Sequence, residues 1–208
     1  MTRQQSPIRI GIVVFERCQI VDATGSAGVF GVANEILKDT LKGAAGYDIR
    51  LLAVDAGQIR TSSGVSLFAD HALNDRLPPF NTLICVGGKG TQNFAADASA
   101  IAAVRKLAGK AQRIVSVCTG AFILAAAGLL DGKRAVTHWA HCQKLAADYP
   151  RITVEQDPIY IKDGNVYTSA GVTAGMDLAL ALVESDYGRD VALAAARDMV
   201  MFMKRPGS

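Results

Sequence analysis

The chain reads as a single α/β domain, with a mainly parallel sheet covered by helices on both faces. Three observations predict this. Short β-branched runs alternate with longer segments of helical periodicity, the order that builds a parallel sheet with helical crossovers. The opening run Ile8–Phe15 is apolar almost throughout, interrupted by Arg9, as a strand buried on both faces requires. Finally, Ser116-Val117-Cys118-Thr119-Gly120 sets a small-x-nucleophile-x-Gly pattern between the apolar pair Ile114-Val115 and the helical segment Ala121–Ala127. That is the pattern of a nucleophile elbow, with Ser116 in place of the usual first glycine.

Taken in order, Ile8–Phe15 is the first strand, and a turn leads into a helix running to about Lys38, with Asp22 or Thr24 as its cap. Tyr47–Val54 is the second strand. Ile59–Ala69 is a small antiparallel excursion around Ser62-Ser63-Gly64. Thr82–Val86 is a third buried strand ending in Gly87-Gly88, and Ala98–Lys110 is a helix with Ile101, Val104, Leu107 and Ala108 at helical spacing. Arg113–Val117 leads into the elbow and a helix ending near Gly128. Ala135–Thr137 is a short strand and His138–Ala147 a short helix. Ile152–Val154 and Ile159–Ile161 flank a loop with Pro158, and Asp163-Gly164 is a hairpin signal before Asn165–Ser169. Val172–Ser185 and Asp190–Met203 are closing helices.

Composition narrows the partners. The 208 residues suit one domain that buries roughly 70% of its unfolded surface without a disulfide or metal staple. A net charge of +3 with scattered basic residues does not make a nucleic-acid surface. Cys18, Cys85, Cys118 and Cys142 lack CxxC spacing, which points to reduced thiols and a cytoplasmic location. No apolar run is long enough to span a bilayer, and the polar start Met1–Pro7 is not a signal peptide.

The site is expected at the carboxyl ends of the strands, where Asp22, Gly87-Gly88 and Cys118 fall. At an elbow, helix amides point at the sulfur and should lower its pKa. The opposing reading of Cys118 is a small buried hydrophobe. Gly88 and Thr119 are candidate backbone donors to a bound carbonyl or oxyanion, although Gly87-Gly88 also suits a plain tight turn. Gly88-Lys89-Gly90-Thr91 is no P-loop, because Leu83 stands where the earlier glycine belongs. His138 is placed to orient or deprotonate Cys118, or else to cap the next helix. His138, His141 and Cys142 have metal-ligand spacing but lack a fourth ligand, so neither metal nor cofactor is expected.

The segments Val21–Gly25, Cys85–Gly88, Val115–Phe122, Ala127–Leu130, Thr137-His138-Trp139 and Thr168–Gly175 together resemble the ThiJ/PfpI superfamily, from about Ile8 to Arg205. The resemblance implies a flavodoxin-like fold related to class I glutamine amidotransferases. It implies a carboxylate beside the thiol, a position that Asp22 matches although Glu is commoner there. Two branches are near. Isonitrile hydratases are similar at Asp22, Cys118 and Thr119. The N-terminal domain of AraC-type transcription regulators is similar through Asp177–Glu184, Ala195–Val200 and Lys204–Gly207. The tail favours the second branch. It implies a ligand-sensing domain with a cleft around Cys118, a homodimer, and DNA contact only through a helix-turn-helix domain not present here. Residues 203–208 would begin the linker to that domain. The alternative is an isonitrile hydratase-like enzyme with Cys118 as nucleophile and Asp22 as general acid/base. A third reading, an oxidation sensor, needs Cys118 to be acidic.

Overall fold

The computed structural model describes residues 6–41 and 43–202. The linker expected at 203–208 and the polar segment before Ser6 lie outside them. Among the described residues, a seven-stranded sheet forms the core of the molecule. Its strands in chain order are β1 (Ile8–Val13), β2 (Tyr47–Ala53), β5 (His71–Ala72), β6 (Thr82–Cys85), β7 (Arg113–Val117), β10 (Tyr160–Asp163) and β11 (Val166–Ser169). Across the sheet they run β10-β11-β7-β6-β1-β2-β5, and every pairing is parallel except the β10–β11 hairpin at one edge. Two short ladders lie outside it: the antiparallel pair β3 (Gly57–Arg60) and β4 (Ser66–Ala69), and the parallel pair β8 (Arg134–Val136) and β9 (Thr153–Glu155).

Three helices pack on one another against the sheet: α1 (Ile20–Thr40), α6 (Thr173–Tyr187) and α7 (Arg189–Asp198). A second group comprises α2 (Thr91–Ala96), α3 (Ala98–Ala108) and α4 (Ala121–Ala126), and α5 (Cys142–Asp148) packs against β9. The fold is therefore the expected flavodoxin-like α/β architecture. Ile10, Ile12, Leu83, Ile84, Val115 and Val117 fill its centre, which explains why these strands are apolar on both faces.

Several boundaries differ from the sequence reading. Helix α1 starts two residues before Asp22. Its cap is Gln19, whose Oε1 accepts the Val21 N–H at 3.5 Å. Asp22 thus sits in the first turn, where a carboxylate suits the helix dipole, and its side chain is free for another contact. After Val117 the chain makes a single 3₁₀ turn, Cys118–Gly120, before α4 begins. Helix α7 stops at Asp198, where the Met199 amide closes on the Ala195 and Arg197 carbonyls. Strand β5 and helix α2 have no counterpart in the sequence reading; both are too short for periodicity to register.

Candidate functional site

The elbow is real, and backbone geometry explains its residue types. Cys118 has φ +57°, a left-handed conformation that side chains other than glycine rarely adopt. Crowding holds it there. A Cβ on Gly120 would collide with the Cys85 carbonyl, and one on Gly87 would lie 2.5 Å from the Thr119 nitrogen. The Thr137 hydroxyl, itself buried, donates to the Cys118 carbonyl at 2.9 Å. On the other side Gly171 passes so close that a Cβ would stand 3.3 Å from the Cys118 sulfur and 3.4 Å from His138 Cδ2.

Asp22 lies near enough to Cys118 for its charge to act on the thiol. Asp22 is wholly buried; its Oδ2 accepts the Gly87 N–H at 2.9 Å, and its Oδ1 has no hydrogen-bond partner among the described residues. The Val172 amide faces both the carboxyl group and the sulfur, and Val172 reaches that position only with a strained φ of +29°. Burial pushes the Asp22 carboxyl up to about 6, against the opposing pull of the Gly87 and Val172 amides.

Burial also pushes the Cys118 thiol up to about 12, with the Asp22 charge adding to the rise. The Thr119 amide and hydroxyl and the Val172 amide pull the other way and lose. This direction is opposite to the acidic thiol expected, on which the oxidation-sensor reading rests. Cys118 is only 8% exposed, and the three-residue turn in front of it brings too few aligned peptides to offset that burial.

The other candidates line one cleft of about 350 Å³ with Cys118: Gly88, Thr119 and His138, together with Lys89 and Val172. Gly88 is not a free donor there. Its N–H donates to Thr119 Oγ1 at 2.9 Å; that oxygen lies 2.9 Å from Thr91 Oγ1, which donates to the Gly88 carbonyl at 2.8 Å. This closed ring of hydroxyls and amides occupies the expected oxyanion donor. His138 Nδ1 accepts the Ala140 N–H at 3.4 Å, so the helix-capping role is the one seen. Its pKa is lowered by burial and by neighbouring His141, which keeps the ring neutral near pH 7. Among the described residues, no group of three or more His, Cys, Asp or Glu side chains is placed to hold a metal.

Thr137, Gly171 and Val172 fall within segments that carry the family resemblance, but neither they nor Thr91 were given a role at the thiol from the sequence. One signal was available: Gly171-Val172-Thr173-Ala174-Gly175 is a second run of small residues between a strand and a helix, like the elbow itself.

Known proteins share this fold and part of this sequence. A sequence model of the DJ-1/PfpI family matches residues 9–185. The isonitrile hydratase of Pseudomonas putida is 34% identical over 186 residues, covering 89% of this chain and 75% of that enzyme. The HTH-type transcriptional regulator GbdR of Pseudomonas aeruginosa is 28% identical over 200 residues, 96% of this chain and 52% of the regulator. The chain thus spans about half the length of that relative. A ThiJ/PfpI family protein from Pseudomonas syringae superposes with a TM-score of 0.83 at 26% identity, covering 98% of this chain and 78% of that one.

Proposed function

The chain belongs to the DJ-1/PfpI family, and from that premise we propose that it is a ligand-sensing domain of the AraC-type regulator kind. One observation carries the reading. The cleft presents a thiol that stays protonated near pH 7, beside a Gly88 amide already committed to Thr119. Such a site holds a small molecule more readily than it stabilises an oxyanion. Lys89, Thr119 and His138 at the cleft suit a polar ligand. Val172 lines the cleft and immediately precedes α6, which packs on α1 and α7. A ligand that moves Val172 therefore acts on the helices at the carboxyl end. A homodimer, a cytoplasmic location and DNA contact through a further domain belong to the same proposal. Among the described residues no helix is long and apolar enough to cross a membrane.

The test is thermal unfolding of the domain with small polar metabolites. A ligand present at about a hundred times its Kd should add about 2.7 kcal/mol of stability. Ser62→Trp, which plugs the cleft from its rim, should abolish the gain. Stabilisation that survives the plug would remove the cleft from the proposal.

A second reading is favoured by the 34% identity to an isonitrile hydratase and by the Asp22, Cys118 and Thr119 arrangement. Here ionised Asp22 takes the thiol proton as the sulfur bonds to the isonitrile carbon, and that carbon takes the proton back, giving a thioimidate. Water then adds to the same carbon: Asp22 takes one water proton and passes it to the nitrogen. The carbon–sulfur bond breaks as the remaining hydroxyl proton passes to the sulfur, and an N-substituted formamide leaves. Because Asp22 must be ionised, the rate should rise with pH through about 6. Formamide released from cyclohexyl isocyanide by the protein but not by Cys118→Ala would establish this reading over the first.

A further inference from the structure

A larger cleft, of about 400 Å³, shares no lining residue with the Cys118 cleft. The turn from Arg17 to Gln19 stands between them, tied to the neighbouring loop by the Cys18–Gly88 bridge and by the Gln19 N–H donating to the Gly87 carbonyl. This second cleft also lies beyond strand carboxyl ends, those of β1 and β2, with α2 closing the far side. Its floor is apolar and buried: Phe15 and Phe94, ring centroids 4.9 Å apart, with Ile59 and Ala53 beside them. Its rim is sewn in place. The Arg17 N–H donates to the Arg60 carbonyl at 2.8 Å, the Arg60 N–H to Glu16 Oε1 at 3.1 Å, and the Gly90 N–H to the Arg17 carbonyl at 3.2 Å. A Cβ on Gly90 would collide with the Glu16 carbonyl, so the wall stays close-packed.

Charge gives this cleft a different selectivity from its neighbour. Its lining includes three carboxylates, Glu16, Asp55 and Asp97, against one guanidinium, Arg17. The Cys118 cleft is lined by Lys89, His138 and His141 and by no carboxylate. Asp97 spends one oxygen capping α3, at 2.9 and 3.1 Å from the Ser99 and Ala100 nitrogens, and Glu16 spends one on Arg60. Asp55 makes no side-chain hydrogen bond or ion pair among the described residues.

We propose that this cleft is a separate binding site for a small organic cation with an apolar stem, a protonated amine. The stem would lie on the Phe15–Phe94 floor, where an aromatic face also attracts a cation. The ammonium would meet Asp55 and the free oxygens of Glu16 and Asp97. The site does not depend on the reading given to Cys118.

Three probes of one shape test this: phenethylammonium, phenethyl alcohol and hydrocinnamate, titrated by NMR while the Ile59 and Phe94 resonances are followed. The ammonium should shift both, the alcohol should bind about fivefold more weakly, and the carboxylate should not bind. Asp55→Asn should weaken the ammonium about five- to tenfold and leave the alcohol unchanged. Ser62→Trp should leave all three as they were. Equal binding of the three, no shift at about 20 mM ammonium, or loss of binding in Ser62→Trp would each overturn the proposal.

Discussion

At Asp22 a carboxyl group is held out of water with one oxygen unpaired, so its charge costs stability. Its pKa stands at about 6 in the folded chain against an ordinary 3.8, so the fold prefers the protonated form. The sign follows. The stabilising contribution is complete below about pH 4 and is lost as pH rises through about 6. Two pKa units correspond to about 3 kcal/mol. Asp22→Asn should therefore be more stable than the parent near pH 7. The difference should shrink by about that amount on acidification to pH 4, as urea unfolding at several pH values will show. A residue kept at such a cost, facing a thiol, marks the site more firmly than the thiol does. The elbow pattern exposed Cys118 to a sequence reader. The level of its pKa was hidden, because burial depends on Gly87, Thr137 and Gly171, which come from three other segments.

Elements lock the sheet to its helices through a polar cluster far from the cleft. Near the end of α6, Asp186 accepts two hydrogen bonds from the Arg113 guanidinium, at 2.7 and 2.8 Å, and one from the Tyr47 hydroxyl at 3.0 Å. The cluster joins α6 to the starts of β7 and β2, and both ends of the ion pair are largely buried. Removing one partner leaves the other charge buried and alone. Asp186→Ala should lower unfolding stability by about 3 kcal/mol, measured by chemical denaturation, with ligand binding at the cleft unchanged once the protein is folded. At its other end α6 packs tightly on β7: a Cβ on Gly175 would lie 2.6 Å from Val117 Cγ1. The helix that carries the Val172 amide to its start is thus anchored at both ends. The bounds of α1 show the limit of local rules. Asp22 is a good cap by residue type, but the helix begins earlier because Gln19 is held by the Gly87 carbonyl and supplies the cap itself.

For the whole molecule, burial is greatest in β1, β6 and β7 and low in β3, β4 and β9 of the outlying ladders. Hydrogen exchange should accordingly be slowest at Ile12, Ile84 and Val115 and should open β3–β4 and β8–β9 well before global unfolding. Exchange in the outlying ladders as slow as in the central strands would contradict this order. Most of the sheet could be read directly, because parallel strands buried on both faces must be apolar runs, and the hairpin announced itself through Asp163-Gly164. Strand β5 and helix α2 could not, since two and six residues carry too little pattern. By itself the sequence determined the layered α/β class and the elbow, because each follows from local periodicity or from residue types within a few positions, whereas a role for Asp22 beside Cys118 came only from the family resemblance. Only the tertiary structure decided that the thiol stays protonated, that the Gly88 amide is taken by Thr119, and that Val172 reaches between acid and sulfur. Those are consequences of desolvation and close contact, and both are set by segments that lie far apart in the chain until the sheet brings their ends together.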